Sequence, residues 1–257
     1  MRTPFLSLAA LAVSTAATPA FAEQDIGGGF SLSGNAALVT DYRFRGVSFS
    51  GEDIAIQGGI DLAHMSGFYL GTWGSSLEEE TGVFEDNGDT IGLGHTEIDI
   101  YAGWRGELRS GVEVDVGMLY YYYPNANNNI VVAGTRADFP TDYFEPYAAI
   151  SYSIGPAQLT TGFAYAFDQD ALGNNDNLYV YGELGIGIPN TPLTVNGHLG
   201  YTNGSLSVDT DNDYLDWSIG VDYVLGPATI GVAYIDTNAP SIAGLDATLV
   251  GTFAISF

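Results

Sequence analysis

Hydrophobic and polar residues alternate along almost the whole chain. In "EIDIYAGWRGELRSGVEVDVGMLYYYYP", residues 97–124, one parity reads Glu97, Asp99, Tyr101, Gly103, Arg105 and the other Ile98, Ile100, Ala102, Trp104. A strand points successive side chains to opposite faces, so this period of two predicts a sheet with one watery and one apolar side. The same pattern predicts strands at roughly 31–46, 54–63, 68–76, 96–106, 111–123, 143–154, 158–167, 178–188, 192–202, 214–225, 228–235 and 245–257.

The apolar face carries, among others, Leu38, Tyr42, Phe44, Ile56, Ile60, Val116, Met118, Ile150, Phe163, Leu199, Ile219, Val221, Ile230, Leu249 and Phe253, with no charge among them. The polar face carries Asp41, Arg43, Arg45, Asp61, Glu97, Asp99, Arg105, Glu113, Asp115, Glu145, Glu183, Asp216, Asp222 and Asp246, separated by Gly, Ala, Ser, Thr and Tyr. Most of these strands are long enough to cross a bilayer at a tilt, and only a closed sheet leaves no unpaired backbone edge in lipid. A soluble sandwich or solenoid also alternates, but a sandwich usually has shorter strands and less regular connections. Here long connections after odd strands alternate with tight ones after even strands, the outer-loop and periplasmic-turn pattern of an outer-membrane barrel. The expected fold is all-β: a transmembrane antiparallel up-and-down barrel of about twelve strands. Within it, Tyr120 and Tyr122 belong to an outer aromatic girdle and Tyr121 and Tyr123 to the lumen mouth. Pro146 is expected to mark a bulge, and strand 68–76, uncharged on both faces, has no register that the pattern can assign.

The start of the chain gives the destination. Arg2, the apolar run "FLSLAALAV" at 5–13 and Ala20-Phe21-Ala22 have the form of a cleaved signal peptide, so the expected organisation is a leader at 1–22 and a barrel domain at 23–257. The final strand ends on Phe257, which resembles the terminal aromatic signal read by the barrel assembly machinery. That machinery and outer-membrane lipid are the expected partners, with small solutes; oligomeric state is left open.

Composition narrows the function. The formal net charge is −25 with 6 arginines and no lysine, which argues against a nucleic-acid partner. There is no cysteine, hence no disulfide, thiolate metal site or cysteine nucleophile.

At "TDYRFRGVS" (40–48), with "GGIDLAHMSGFYLGTWGSS", "EIDIYAGW" and "DVGMLYYYYP", the chain resembles the TorF-type family of predicted porins, exported bacterial proteins long catalogued as conserved hypothetical. The likeness is specific over residues 36–150. It implies outer-membrane residence and a pore, and it carries over no catalytic residue.

Asp41, Arg43, Arg45, Asp61, Glu97, Asp99, Arg105, Glu113, Asp115, Glu145, Glu183, Asp222 and Asp246 are therefore the candidate lumen lining. Eleven strand carboxylates, Asp216 included, against three arginines favour cations. Arg43 and Arg45 are expected to pair across strands with carboxylates such as Asp61 and Asp246, because an unpaired buried charge is costly. The expected function is passive diffusion of small hydrophilic solutes, cations preferred. The alternative is a non-conducting barrel whose acidic outer loops, such as "EEETGVFEDNGD" at 78–89 and Asp209, Asp211 and Asp213, bind divalent cations or a partner. Tyr214 stands where a calcium loop needs glycine, so an EF-hand site is disfavoured. No cofactor, metal centre or enzymatic activity is expected; His95 with Glu97 and Ser75 or Ser76 is the best-placed hydrolytic set, and no nucleophile motif surrounds either serine.

Overall fold

In the computed structural model the described residues are 24–78, 84–86, 89–109, 111–126, 129–132, 135–138, 140–240 and 244–257. The expected leader at 1–22 and most of the acidic run at 78–89 lie outside them.

Twelve strands form the barrel: β1 (Phe30–Val39), β2 (Ala55–His64), β3 (Phe68–Ser76), β4 (Thr96–Arg109), β5 (Val112–Tyr122), β6 (Tyr143–Ile154), β7 (Ala157–Gln169), β8 (Asn175–Gly187), β9 (Leu193–Gly204), β10 (Asp213–Leu225), β11 (Ala228–Thr237) and β12 (Thr248–Ser256). Each pairs antiparallel with its neighbour in sequence, and β12 pairs with β1 to close the sheet. Connections 40–54, 77–95, 123–142, 170–174, 205–212 and 238–247 lie at one end and tight turns at the other. Among the described residues no helix is long and apolar enough to cross a membrane. The barrel crosses with its strands, and outer membranes are where closed antiparallel barrels of this kind reside.

The outward faces make the lipid belt. Ile56, Ile60, Met118, Phe163, Leu199, Ile219, Ile230, Leu249 and Phe253 are all exposed. On β3 the exposed residues are Phe68, Leu70, Thr72 and Ser76, which sets Tyr69, Gly71, Trp73 and Ser75 inward, a register that only its neighbours in the sheet could fix. The run of four tyrosines divides by parity: Tyr120 and Tyr122 stack on the outside, centroids 6.4 Å apart, while Tyr121 and Tyr123 are buried inside. An outward pair at this height fits an aromatic girdle.

Closure of the barrel uses both chain ends. Phe257 and Gly34 exchange two backbone hydrogen bonds, of 2.7 and 2.9 Å. A Cβ on Gly34 would lie 2.8 Å from the Phe257 ring, which would have to shift to admit it. Below Phe257 the edge of β1 is covered by Gln24–Gly27, an N-terminal strand that the alternation does not show.

Part of the glycine and tyrosine abundance has one structural cause. Gly71, Gly103, Gly117 and Gly162 stand in register opposite Tyr101, Tyr69, Tyr147 and Tyr181, whose rings lie over them. A Cβ on Gly117 would sit 2.5 Å from Tyr147 Cζ and 2.9 Å from a backbone oxygen. Gly117→Ala is therefore expected to destabilise the barrel by about 1–3 kcal/mol through overpacking. The midpoint of its heat-induced gel-mobility shift should fall, and an unchanged midpoint would refute the paired-ring packing.

Three expectations are corrected. β1 stops at Val39 instead of running to 46, so Asp41, Arg43 and Arg45 belong to a loop. Asp246 precedes β12 and is exposed, outside any strand. Pro146 makes no bulge: β5 and β6 stay in register from Val112↔Tyr152 to Tyr121↔Tyr143. Its effect falls on the other side, where pairing with β7 begins only at Tyr147↔Ala164. Proline has no N–H to offer that ladder. The Gln169 side chain bridges the gap, accepting from Phe144 N at 2.8 Å and donating to Phe144 O at 2.9 Å.

Candidate functional site

The lumen has two unlike halves, and the first loop makes the difference. After Val39 the chain turns inward and forms a small hairpin, Arg43–Phe44 against Val47–Ser48, inside the outer half of the barrel. Its two-residue tip, Arg45 and Gly46, has φ of +50° and +82°. Left-handed conformation at both central positions is the tight turn that matches strand twist, natural for glycine and strained for arginine.

Asp41 and Arg43 tie the base of the hairpin. Asp41 accepts from Arg43 Nε at 2.5 Å and from the hydroxyls of Ser48 and Ser50 at 2.6 and 3.1 Å. Arg43 also donates to the backbone oxygens of Gly46, Gly244 and Asp246. Its partners are thus Asp41 and main-chain carbonyls, that of Asp246 included, with Glu52 at 3.6 Å, while the Asp61 carboxylate accepts from Tyr101.

Arg45 fixes the tip. It is fully buried, and its Nη2 donates to both oxygens of Glu145 on β6 at 2.7 Å. Its guanidinium carbon lies 4.3 Å from the Tyr179 ring centroid and 4.7 Å from that of Phe44, within cation–π range. Burial opposes its charge, but Glu145 together with the phenols of Tyr121 and Tyr143 outweighs burial and raises the Arg45 pKa above its ordinary value. Tyr214 donates to the Arg45 carbonyl at 3.0 Å.

Tyr42 and Phe44, which the alternation places toward lipid, are buried with the hairpin. Tyr42 meets Trp73 edge-on at 5.6 Å and donates to Glu97 at 3.3 Å. Phe44 meets Tyr121 at 5.8 Å, and Tyr121 stacks on Tyr143 at 4.4 Å. Glu97, Asp99 and Glu145 all fall in this filled half and are buried.

The inner half is wetter. Asp61, Glu113, Asp115 and Glu183 are half-buried there, with Arg105 the one half-buried arginine among the described residues. Arg105 pairs with Asp115 at 2.6 Å, Tyr69 donates to Asp115 at 2.5 Å and touches the Tyr147 hydroxyl, and Tyr101 donates to Asp61 at 2.6 Å. Asp222 is buried and accepts from Asn196 at 2.6 Å. Between the halves His198 bridges two acids, with Nε2 3.0 Å from Asp216 and Nδ1 3.5 Å from Glu183.

The hydrolytic set disperses. His95 is exposed at the rim, Ser75 is buried with Gln57 and the Ser76 carbonyl as partners, and Glu97 binds Tyr42. In the outer loops, Asp209 accepts from Asp211 N at 3.3 Å and Asp213 from Tyr201 at 3.0 Å. Among the described residues no group of three or more His, Asp or Glu side chains is arranged to hold a metal.

Sequence reasoning missed Tyr179 and Tyr214 as partners of the loop. The one local sign was Arg45-Gly46, a turn-forming pair inside an alternating run.

Among solved structures, this chain is similar to the KdgM porin, with a TM-score of 0.55 at 8% identity over 88% of this chain and 98% of that one. It is similar also to the NanC porin, with a TM-score of 0.54 at 11% identity over 88% and 98%. At such identities the likeness is one of fold. No curated protein matches the chain. A family model described as "Bacterial protein of unknown function (Gcw_chp)" matches residues 23–253. That match extends the family likeness from residues 36–150 to nearly the whole barrel, under this description and not under the TorF-type name. The chain belongs to the Gcw_chp family of bacterial proteins.

Proposed function

We propose that the protein is a porin-like channel for small hydrophilic solutes that prefers cations, exported by a leader at 1–22 and inserted through the signal ending at Phe257. The observation that carries this reading is the inner half of the lumen. Four half-buried carboxylates, Asp61, Glu113, Asp115 and Glu183, face one half-buried arginine there, a net charge of −3 by that count. A low-dielectric wall lined by one sign of charge raises the local concentration of counter-ions. The KdgM and NanC porins share the fold, and one KdgM structure is described as a complex with disordered oligogalacturonate, a polyanion. The acid lining here favours solutes of the opposite sign.

Reversal potential across a KCl gradient in a planar bilayer tests the charge preference. Arg105→Gln is expected to move it further toward the cation value, and Glu113→Gln together with Glu183→Gln to move it back. Anion preference in the wild type would refute the reading.

One observation favours a second reading, a non-conducting barrel that acts through its acidic outer loops. The first loop fills the outer half with buried Tyr42, Phe44 and Arg45. A barrel that inserts but never conducts, even with that loop replaced, would select it.

A further inference from the structure

The inner half of the lumen carries rings as well as acids. Tyr69, Tyr101, Tyr147 and Tyr181 point inward from β3, β4, β6 and β8, each with its phenol end over the glycine that faces it across the ladder. A ring laid along the wall keeps one side against the sheet and turns the other to the lumen, and all four are half-buried. Their hydroxyls sit among carboxylates: Tyr101 donates to Asp61 at 2.6 Å, Tyr69 to Asp115 at 2.5 Å, and the Tyr147 hydroxyl touches that of Tyr69. Glu183 follows Tyr181 by two residues on the same face of β8. Arg105 shows what such a pairing of ring and acid holds. Its guanidinium carbon lies 5.2 Å from the Tyr69 centroid while Nη2 meets Asp115 at 2.6 Å, one cation against a ring and a carboxylate together.

We propose that this strip of rings and acids is a binding site for small organic cations of low hydration, quaternary ammonium groups above all. The carboxylates draw any cation, and the rings discriminate among them. A sodium or potassium ion keeps its water and gains little from a π face. An alkylated ammonium has no N–H to satisfy and wraps its charge in methyl groups, so it sheds water at small cost and lies against tyrosine. A neutral molecule of the same shape meets the rings but gains nothing from the charge of the acids. Tyr101 with Asp61 and Tyr181 with Glu183 repeat the arrangement found around Arg105, and these are the seats assigned to the solute. The inference names a solute class for the cation-preferring channel, and it rests on that reading for any role in transport.

The test is calorimetric titration of the refolded protein in neutral detergent with tetramethylammonium chloride, set against sodium chloride and the uncharged analogue tert-butanol. Saturable heat is expected from tetramethylammonium alone. Tyr101→Leu combined with Tyr181→Leu, which removes two rings, should weaken binding about tenfold. Tyr101→Phe combined with Tyr181→Phe keeps the rings and should retain most of it. If the leucine pair does not fold, as judged by heat-modifiable gel mobility, Asp61→Asn tests the same site from its acid and should also weaken binding. Heat no different from that of sodium or of tert-butanol, undiminished binding in the leucine pair or in Asp61→Asn, or a phenylalanine pair as weak as the leucine pair would each overturn the proposal. In a planar bilayer, tetramethylammonium is expected to lower the potassium conductance over the concentrations at which it binds. Calorimetry needs no current, so a barrel that never conducts, or one that prefers anions, would defeat the channel reading while leaving the binding site to stand or fall separately.

Discussion

Replacing Tyr42–Phe49 by a glycine–serine segment of equal length is expected to raise unitary conductance several-fold while the barrel still folds and inserts. The replaced residues contribute no rung to the twelve-strand ladder, since β1 ends at Val39 and β2 begins at Ala55. They do supply Tyr42, Phe44 and Arg45, all buried in the outer lumen. Removing them exchanges packed side chains for water over the outer half and leaves the acid-lined inner half untouched. Barrel stability should fall modestly, because the apolar contacts of Phe44 and Tyr42 are lost but the lipid-facing belt and the sheet hydrogen bonds remain. Recording single channels of both proteins under one salt condition provides the comparison. Equal conductance would mean that the hairpin does not limit flow.

The largest effect on stability is expected at Glu145. Glu145→Ala leaves the Arg45 guanidinium buried against Tyr179 and Phe44 with no carboxylate, and breaking one side of a buried ion pair costs about 3–5 kcal/mol. The residue also accepts from Tyr121 at 3.0 Å, so a phenol loses its partner as well. The hairpin tip, already in a left-handed conformation at Arg45, is the weakest place for that cost to be relieved, so the loop should leave the lumen before the barrel unfolds. The expected signature is a higher conductance together with a lower mobility-shift midpoint. Combining Glu145→Ala with Arg45→Met removes both charges and should recover much of the lost stability, which a double-mutant cycle measures. Additive losses in the double variant would contradict a direct coupling between the two side chains.

Most of the barrel was legible in the chain because lipid and water impose opposite demands on alternate residues. The expected ranges 143–154 and 214–225 coincide with β6 and β10 to within one residue, and Ile56, Met118, Phe163 and Ile230 are exposed where the pattern set them. Residues 40–46 misled for a physical reason. Tyr42, Arg43, Phe44 and Arg45 alternate as a spanning strand does, and a hairpin inside the lumen shows the same period of two. What distinguishes the two is remote: Glu145 lies 100 residues from Arg45, and the Tyr214 hydroxyl that holds the tip lies 169 residues away. Pro146 carried a true signal of a broken ladder, but the repair by Gln169 comes from the neighbouring strand and could not be foreseen locally. The register of β3 was likewise unreadable until Tyr69 and Trp73 were set against Gly103 and Asp99 of β4. For the lumen, charge and parity placed the strand acids, Asp41 and Asp246 excepted; how far each is exposed depended on which of them the first loop covers.

Planar-bilayer recording of the refolded protein, residues 23–257, across a KCl gradient, with the Tyr42–Phe49 replacement beside it, is the most direct test of an acid-lined lumen narrowed by its first loop. The expected result is stepwise conductance in both, larger in the replacement, with reversal potentials on the cation side. Silence from both proteins despite insertion, or reversal on the anion side, would contradict it.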